Sequence, residues 1–361
     1  ELTHNHGTES DPDFKGYWSG NHGRDVPEDS PLFMKDGPVR GFGHIAFNVD
    51  DVYATSEALE KAGVKFQKRP DEGRMKGLAF ALDPDGYWIE IVQREAGLFK
   101  EPFNLSQTMM RVKDGEKTVK FYRDIMGMTM LREMIFPNDF TNYFLACLSD
   151  EERQAAPEDL TSADAKAFVK RLWQPALELT HNHGTESDPD FKGYWSGNHG
   201  RDVPEDSPLF MKDGPVRGFG HIAFNVDDVY ATSEALEKAG VKFQKRPDEG
   251  RMKGLAFALD PDGYWIEIVQ REAGLFKEPF NLSQTMMRVK DGEKTVKFYR
   301  DIMGMTMLRE MIFPNDFTNY FLACLSDEER QAAPEDLTSA DAKAFVKRLW
   351  QPALELTHNH G

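Results

Sequence analysis

GFGHIAFNVDDVYATSEALEKAGVKFQ (residues 41–67) carries the decisive pattern. GHIAFNV (43–49) alternates as a strand does, and Asp50 or Asp51 stands where a helix needs its N-cap. DVYATSEALEKAG then runs as a helix to a stop at Gly63. VKFQ (64–67), GLAFAL (77–82) and YWIEIVQ (87–93) read as three further strands, the last two joined by the turn Asp83-Pro84-Asp85-Gly86. This βαβββ unit, the B half, spans about Val39 to Gln93.

A second unit, the A half, follows from about Gln107 to His181. TMMRVKD (108–114) reads as a strand. GEKTVKFYRDIMG (115–127) reads as a helix with Val119, Tyr122, Ile125 and Met126 on one face. MTMLREMIF (128–136), NYFLACL (142–148) and ALELTHN (176–182) are strands. A polar, Ala-rich excursion over 151–173, helical near its end, precedes the last of them. The expected class is therefore α+β, with repeated βαβββ halves.

From residue 178, ELTHNHGTESDPDFKGYW restates the chain from residue 1 letter for letter. The period is 177 residues, and Glu355–Gly361 begin a third pass. The order is B, A, B, A, with expected divisions at 1–100, 101–184, 185–277 and 278–361. The acidic, Gly- and Pro-containing loops at about 8–38 and 185–215 have too few apolar residues for cores of their own.

Composition narrows the function. The 361 residues include 61 acidic and 44 basic, a net charge of -17 that offers no basic stripe for nucleic acid. No apolar run reaches the length of about 18 residues needed to span a membrane. The polar first residues are unlike a secretory signal, and two cysteines, Cys147 and Cys324, fit a reducing cytosol better than a disulfide framework.

Four residues per period could carry chemistry: His44 in GFGHIAF, Glu90 in YWIEI, Gln107 in SQTMM and Glu178 in LELTH, repeated as His221, Glu267, Gln284 and Glu355. Glu90 and Glu178 each interrupt an apolar strand, where a bare carboxylate is costly. One imidazole, two carboxylates and an amide oxygen suit a hard-to-borderline divalent metal with room left for substrate. The blander reading puts each on a solvated sheet face or in a structural role. The HNH triplet (His4–His6, His181–His183) is a weaker metal candidate than Glu178, since two His at i and i+2 after a strand serve equally as loop polar residues.

QTMMRVKD, GMTMLRE, LELTHNHGTE, RGFGHIAF, KGLAF and LDPDGYWIEI together resemble glyoxalase I of the vicinal oxygen chelate superfamily, over nearly all of the period outside the 8–38 loop. The family's module runs A then B, so this chain is offset within it. The resemblance implies curved mixed sheets and two metal sites. One would comprise Gln107 and Glu178 with His44 and Glu90; the other, Gln284 and Glu355 with His221 and Glu267. Glu1 would be a remnant competing with Glu355 for one strand position. It implies a divalent metal, zinc first, with nickel, cobalt or manganese admitted by the ligands. It implies glutathione as cosubstrate, and isomerisation of the methylglyoxal–glutathione hemithioacetal to S-D-lactoylglutathione through an enediolate. Glu90 (Glu267) would be the base, with Glu178 (Glu355) acting on the opposite face. Arg40, Lys68, Arg111 and Asn182, repeated as Arg217, Lys245, Arg288 and Asn359, match the glutathione-contacting positions. Phe136, Phe144, Met75 and Leu78 would line the methyl pocket. One chain would do the work of the family's homodimer, in the cytoplasm. A non-catalytic binding module and a ring-cleaving dioxygenase are the rivals; the latter expects two His and one carboxylate, where this chain has Gln first.

Overall fold

The computed structural model describes residues 17–21, 40–189, 191, 193–198 and 218–360. Glu1, His4, His6, Arg217 and most of the 8–38 and 185–215 loops lie outside the described residues.

The B half forms β1 (Phe42–Val49), α1 (Val52–Lys61), β2 (Lys65–Lys68), β3 (Leu78–Leu82) and β4 (Trp88–Gln93). Asp51 is the N-cap, its side chain accepting from Ala54 N. Val52, Ser56 and Leu59 make the buried face of α1, and the turn beyond it passes through Gly63 at φ +86. The A half forms β5 (Asn104–Val112), α2 (Gly115–Lys120), a π-helical turn (Phe121–Ile125), β6 (Thr129–Phe136), β7 (Phe140–Ala146), α3 (Asp150–Ala155), α4 (Ala163–Arg171) and β8 (Ala176–Asn182). The π turn shifts the helical face from that expected: Phe121 and Tyr122 are both buried, whereas Ile125 is only half-buried. The excursion holds two helices rather than one.

The eight strands make a single sheet in the order β2-β3-β4-β1-β5-β8-β7-β6. β1 runs parallel to β4 and antiparallel to β5, and β5 runs parallel to β8. The second period repeats the plan as β9 (Phe219–Val226), α5 (Val229–Lys238), β10 (Lys242–Lys245), β11 (Leu255–Leu259), β12 (Trp265–Gln270), β13 (Asn281–Arg288), α6 (Gly292–Lys297), a second π turn (Phe298–Ile302), β14 (Thr306–Phe313), β15 (Phe317–Ala323), α7 (Asp327–Ala332), α8 (Ala340–Arg348) and β16 (Ala353–Asn359).

β1 forms where the alternation placed a strand, and all eight of its residues are buried, on both faces. Its apolar face, with Ile45, Phe47 and Val49, belongs to a core that runs without break into the second module. There the rings of Phe42 and Phe219 stack with centroids 4.6 Å apart. The other face of the sheet is a trough, roofed at one end by α4, whose Phe168 and Val169 pack with Phe144, Leu131 and Leu172.

Reciprocal latches join the modules. The turn at Asp83–Gly86 inserts Asp83 against Tyr299, whose hydroxyl donates to it at 3.0 Å, while Asp85 accepts from Lys290 N at 2.7 Å and Thr295 Oγ1 at 2.8 Å. Asp260 and Asp262 do the same with Tyr122, Lys113 N and Thr118. Short straps cross between modules as well. Tyr17 accepts from Asn359 Nδ2 at 2.6 Å while Asn21 accepts from Arg111 at 2.9 Å; Tyr194 and Asn198 do the converse with Asn182 and Arg288. A Cβ on Gly41 would lie 1.7 Å from the Trp195 carbonyl oxygen, so only glycine admits the strap there.

Burial, helped by the charge of the neighbouring aspartate, pushes Asp83 and Asp260 up to about 8. The unfolded groups ionise near pH ~4. Their contribution to stability is therefore full below that value and is lost as pH rises through about 8. The melting temperature is expected to fall on alkalinisation, and Asp83→Asn with Asp260→Asn to flatten that fall. An unchanged alkaline slope in the double variant contradicts this assignment.

Candidate metal centre and substrate cavity

The four central strands, β4-β1-β5-β8, each bring one polar side chain to the trough. Glu90 and Gln107 both stand level with Ala46 of β1, on either side of it. His44 lies two residues along β1, level with Met109, which is in turn level with Glu178. With a side-chain period of two, all four point to the same face. Ala46 leaves the space between Glu90 and Gln107 open; a larger side chain would fill it.

The tips converge. His44 Nε2 lies 3.2 Å from Glu90 Oε2 and 3.3 Å from Glu178 Oε2. The Gln107 amide reaches the same two oxygens, each at 2.7 Å. The second module repeats this at His221, Glu267, Gln284 and Glu355, with distances of 3.2, 3.3, 2.7 and 2.8 Å. All eight side chains are buried. The pairing expected from the sequence, each B half with the A half that follows it, is the one the sheets bring together.

The donor set fits a divalent metal. In each module the imidazole nitrogen and two carboxylate oxygens lie within 4.8 Å of one another. A half-turn of the Gln107 amide presents its oxygen in place of Nε2 as a fourth ligand. Two carboxylates and one imidazole in a buried site call for a compensating cation. Without a metal, that cation is a proton: burial opposes charging of His44, but the charges of Glu90 and Glu178 outweigh it and lift the imidazole to about 9. Burial raises Glu178 as well, against the pull of His44.

Asn142 donates to Glu178 Oε1 at 2.6 Å and accepts from Thr180 at 2.8 Å, fixing that carboxylate from the far side. These two residues are not singled out by the sequence, although Asn142 is the polar residue in the otherwise apolar stretch NYFLA.

The trough encloses about 1060 Å³ in the first module and about 960 Å³ in the second. Arg40, Arg111 and Asn182 line one end of the first, with Met75, Leu78, Phe136 and Phe144 elsewhere on the wall; Arg288 lines the second. Asn359 is buried against Tyr17. Arg111 is half-buried, and its loss of solvent, with the charge of Arg40, lowers its guanidinium to about 10. Lys245 lines the second cavity, but Lys68 and Lys245 both spend a donor on strand carbonyls, Leu78 O and Leu255 O at 2.6 Å. The HNH histidines are engaged elsewhere: His181 with Glu186 at 2.8 Å and His183 with Thr141 at 2.8 Å.

Residues 1–91 and 104–268, more than half of the chain, match the Glyoxalase/Bleomycin resistance protein/Dioxygenase superfamily. Lactoylglutathione lyase of Schizosaccharomyces pombe is 37% identical over 278 residues, covering 75% of this chain and 76% of that protein. Glyoxalase I of Saccharomyces cerevisiae is 40% identical over 280 residues, covering 74% and 71%. The crystal structure of glyoxalase I from Zea mays is similar over 72% of this chain and 68% of that one, with 29% identity and a TM-score of 0.47. The family match and the two yeast relatives place the chain in the glyoxalase superfamily, in its glyoxalase I branch.

Proposed function

We propose that this chain is a lactoylglutathione lyase with two metal-dependent sites, Gln107, Glu178, His44 and Glu90 in one and Gln284, Glu355, His221 and Glu267 in the other. The observation that carries the reading is the buried convergence of those four side chains in each module, in a cavity whose far end is lined by Arg40 and Arg111. No helix among the described residues is long and apolar enough to cross a membrane. With a net charge of -17, the reading includes a cytoplasmic enzyme without a nucleic-acid partner. The single chain takes the place of a homodimer.

The substrate is the hemithioacetal of glutathione and methylglyoxal. Arg40, Arg111 and Asn182 bind the peptide end, Arg111 supplying its charge there while Nη1 and Nη2 also hold the Phe42 carbonyl and Asn21. A divalent cation, zinc first, supplies Lewis-acid stabilisation of the negative charge that builds on the substrate oxygens. Glu90 takes the proton from the carbon bearing sulfur, giving an enediolate, and a proton returns to the neighbouring carbon to leave S-D-lactoylglutathione. Glu178 faces the same carbons from the other side, held by Asn142. Burial between β-sheet and roof excludes water that would otherwise compete for these protons.

An ultraviolet assay of thioester formation from methylglyoxal and glutathione tests the reading. Turnover is expected to stop on chelation and to return when zinc is restored. Turnover that survives complete metal removal contradicts the mechanism, and metal binding without turnover favours a sequestering module instead.

A further inference from the structure

We infer that the end of each cavity opposite Arg40 and Arg111 is an anion subsite, so that the enzyme prefers 2-oxoaldehydes whose side chain ends in a carboxylate or phosphate. This rests on the lyase reading and extends it to substrate class.

Arg132 on β6 and Lys166 and Lys170 on α4 share one wall of the first cavity; Arg309, Lys343 and Lys347 repeat them in the second. Among the described residues none of the six has an ion-pair partner, although the chain as a whole carries 61 acidic residues against 44 basic. Arg132 rests over the Phe144 ring instead, and the buried Nε of Arg309 has no hydrogen-bond partner. Lys166 and Lys170 stand one helical turn apart on α4, a like-charge placement that disfavours the helix. Lys170 is held below its ordinary value by burial and then by the charges of Lys166 and Arg132. Half-buried Arg132 and Lys170 stand beside the exposed Lys166, with Glu178 also acting on Arg132, and such a group of cations is stabilised when an anion sits among them.

Position decides which part of the substrate that anion belongs to. Arg111 lies four residues beyond Gln107 on β5 and Asn182 four beyond Glu178 on parallel β8, about 13 Å along the strands at ~3.3 Å per residue. Leu172, just past the end of α4, lies at the opposite end, before β8 begins, where Ala176 is level with Gln107; Lys170 stands two residues before it, and Arg132 is level with Glu178 through Phe144. A hemithioacetal with its peptide on Arg40 and Arg111 and its reacting carbons at the tetrad therefore points its aldehyde-derived tail at Lys166 and Lys170. The step is the same isomerisation: the C1 proton moves to C2, R–CO–CH(OH)–SG becomes R–CH(OH)–CO–SG, and nothing is oxidised or reduced overall.

The test compares kcat/KM for hemithioacetals of glutathione with 4,5-dioxopentanoate, with uncharged 2-oxopentanal and with methylglyoxal. The proteins are the intact chain and a variant with Lys166→Met, Lys170→Met, Lys343→Met and Lys347→Met. We expect the intact enzyme to favour the carboxylate-bearing substrate over 2-oxopentanal by about tenfold or more, as a charge-assisted contact would. The variant should lose that preference while methylglyoxal turnover and inhibition by S-methylglutathione stay within about twofold. A second variant, Lys170→Glu with Lys347→Glu, should invert the preference. No preference in the intact enzyme overturns the proposal. So does an equal fall for all three substrates with weaker S-methylglutathione inhibition, which would assign the wall to the peptide. Absence of methylglyoxal turnover in the intact enzyme would instead overturn the lyase reading, and this subsite with it.

Discussion

Glu90→Gln is expected to remove about half of the turnover, and Glu90→Gln combined with Glu267→Gln to reduce it by about 10³-fold or more. Gln keeps the shape of Glu90 but cannot accept a proton as a base, and it weakens the charge that balances a metal against His44. The two sites lie on separate sheets, each with its own cavity, and no tetrad residue of one module lies in the other's cavity. That separation is why one substitution should leave the other site working. Steady-state rates for the two single variants and the double variant check it. Complete loss in either single variant would mean that the sites act as a coupled unit.

The second large effect concerns assembly. A fragment of residues 1–184 is expected to form a homodimer, with both tetrads intact, and not a monomer. The reason is the shared core: Phe42, Ile45, Phe47, Tyr87 and Tyr122 of the first module are buried with Phe219, Ile222, Phe224, Tyr264 and Tyr299 of the second. Because the two periods are identical in sequence, a second copy of the fragment offers the same surface that the second module does. The latches and straps permit it too, since Asp83 and Tyr17 would find in the second copy the Tyr122 and Asn182 that stand for Tyr299 and Asn359. Sedimentation should give twice the fragment mass, with activity per site retained. A folded monomer would show that the inter-module core is dispensable, contrary to the buried aromatic stack at 4.6 Å.

The tetrad was legible because its members are polar residues in apolar strands, so each sits in a local contradiction that needs a cause. Its quality as a ring was not legible, since it depends on β1 lying between β4 and β5 with Ala46 level with both Glu90 and Gln107. That register belongs to the sheet and not to any one segment. The burial of both faces of β1 likewise requires the second module on one side and the cavity on the other. Helix α3 had a readable signal: Ser149-Asp150-Glu151-Glu152 is a capping box, and both of its hydrogen bonds form. The π turn at Phe121–Ile125 lacked one, because a helical period through Tyr122 and Ile125 fits the letters equally well. Asp83 and Asp85 read as turn residues, which they are, but their role in holding the other module appears only when Tyr299 and Thr295 arrive from about two hundred residues away.

The number of metal ions needed for full turnover tests the account most directly. Metal-free chain titrated with zinc, with thioester formation and bound metal measured together, should gain activity in proportion to metal up to two ions per chain, and Glu90→Gln with Glu267→Gln should lose the activity whatever metal it retains. Full turnover at one ion per chain, or turnover with none, would contradict it.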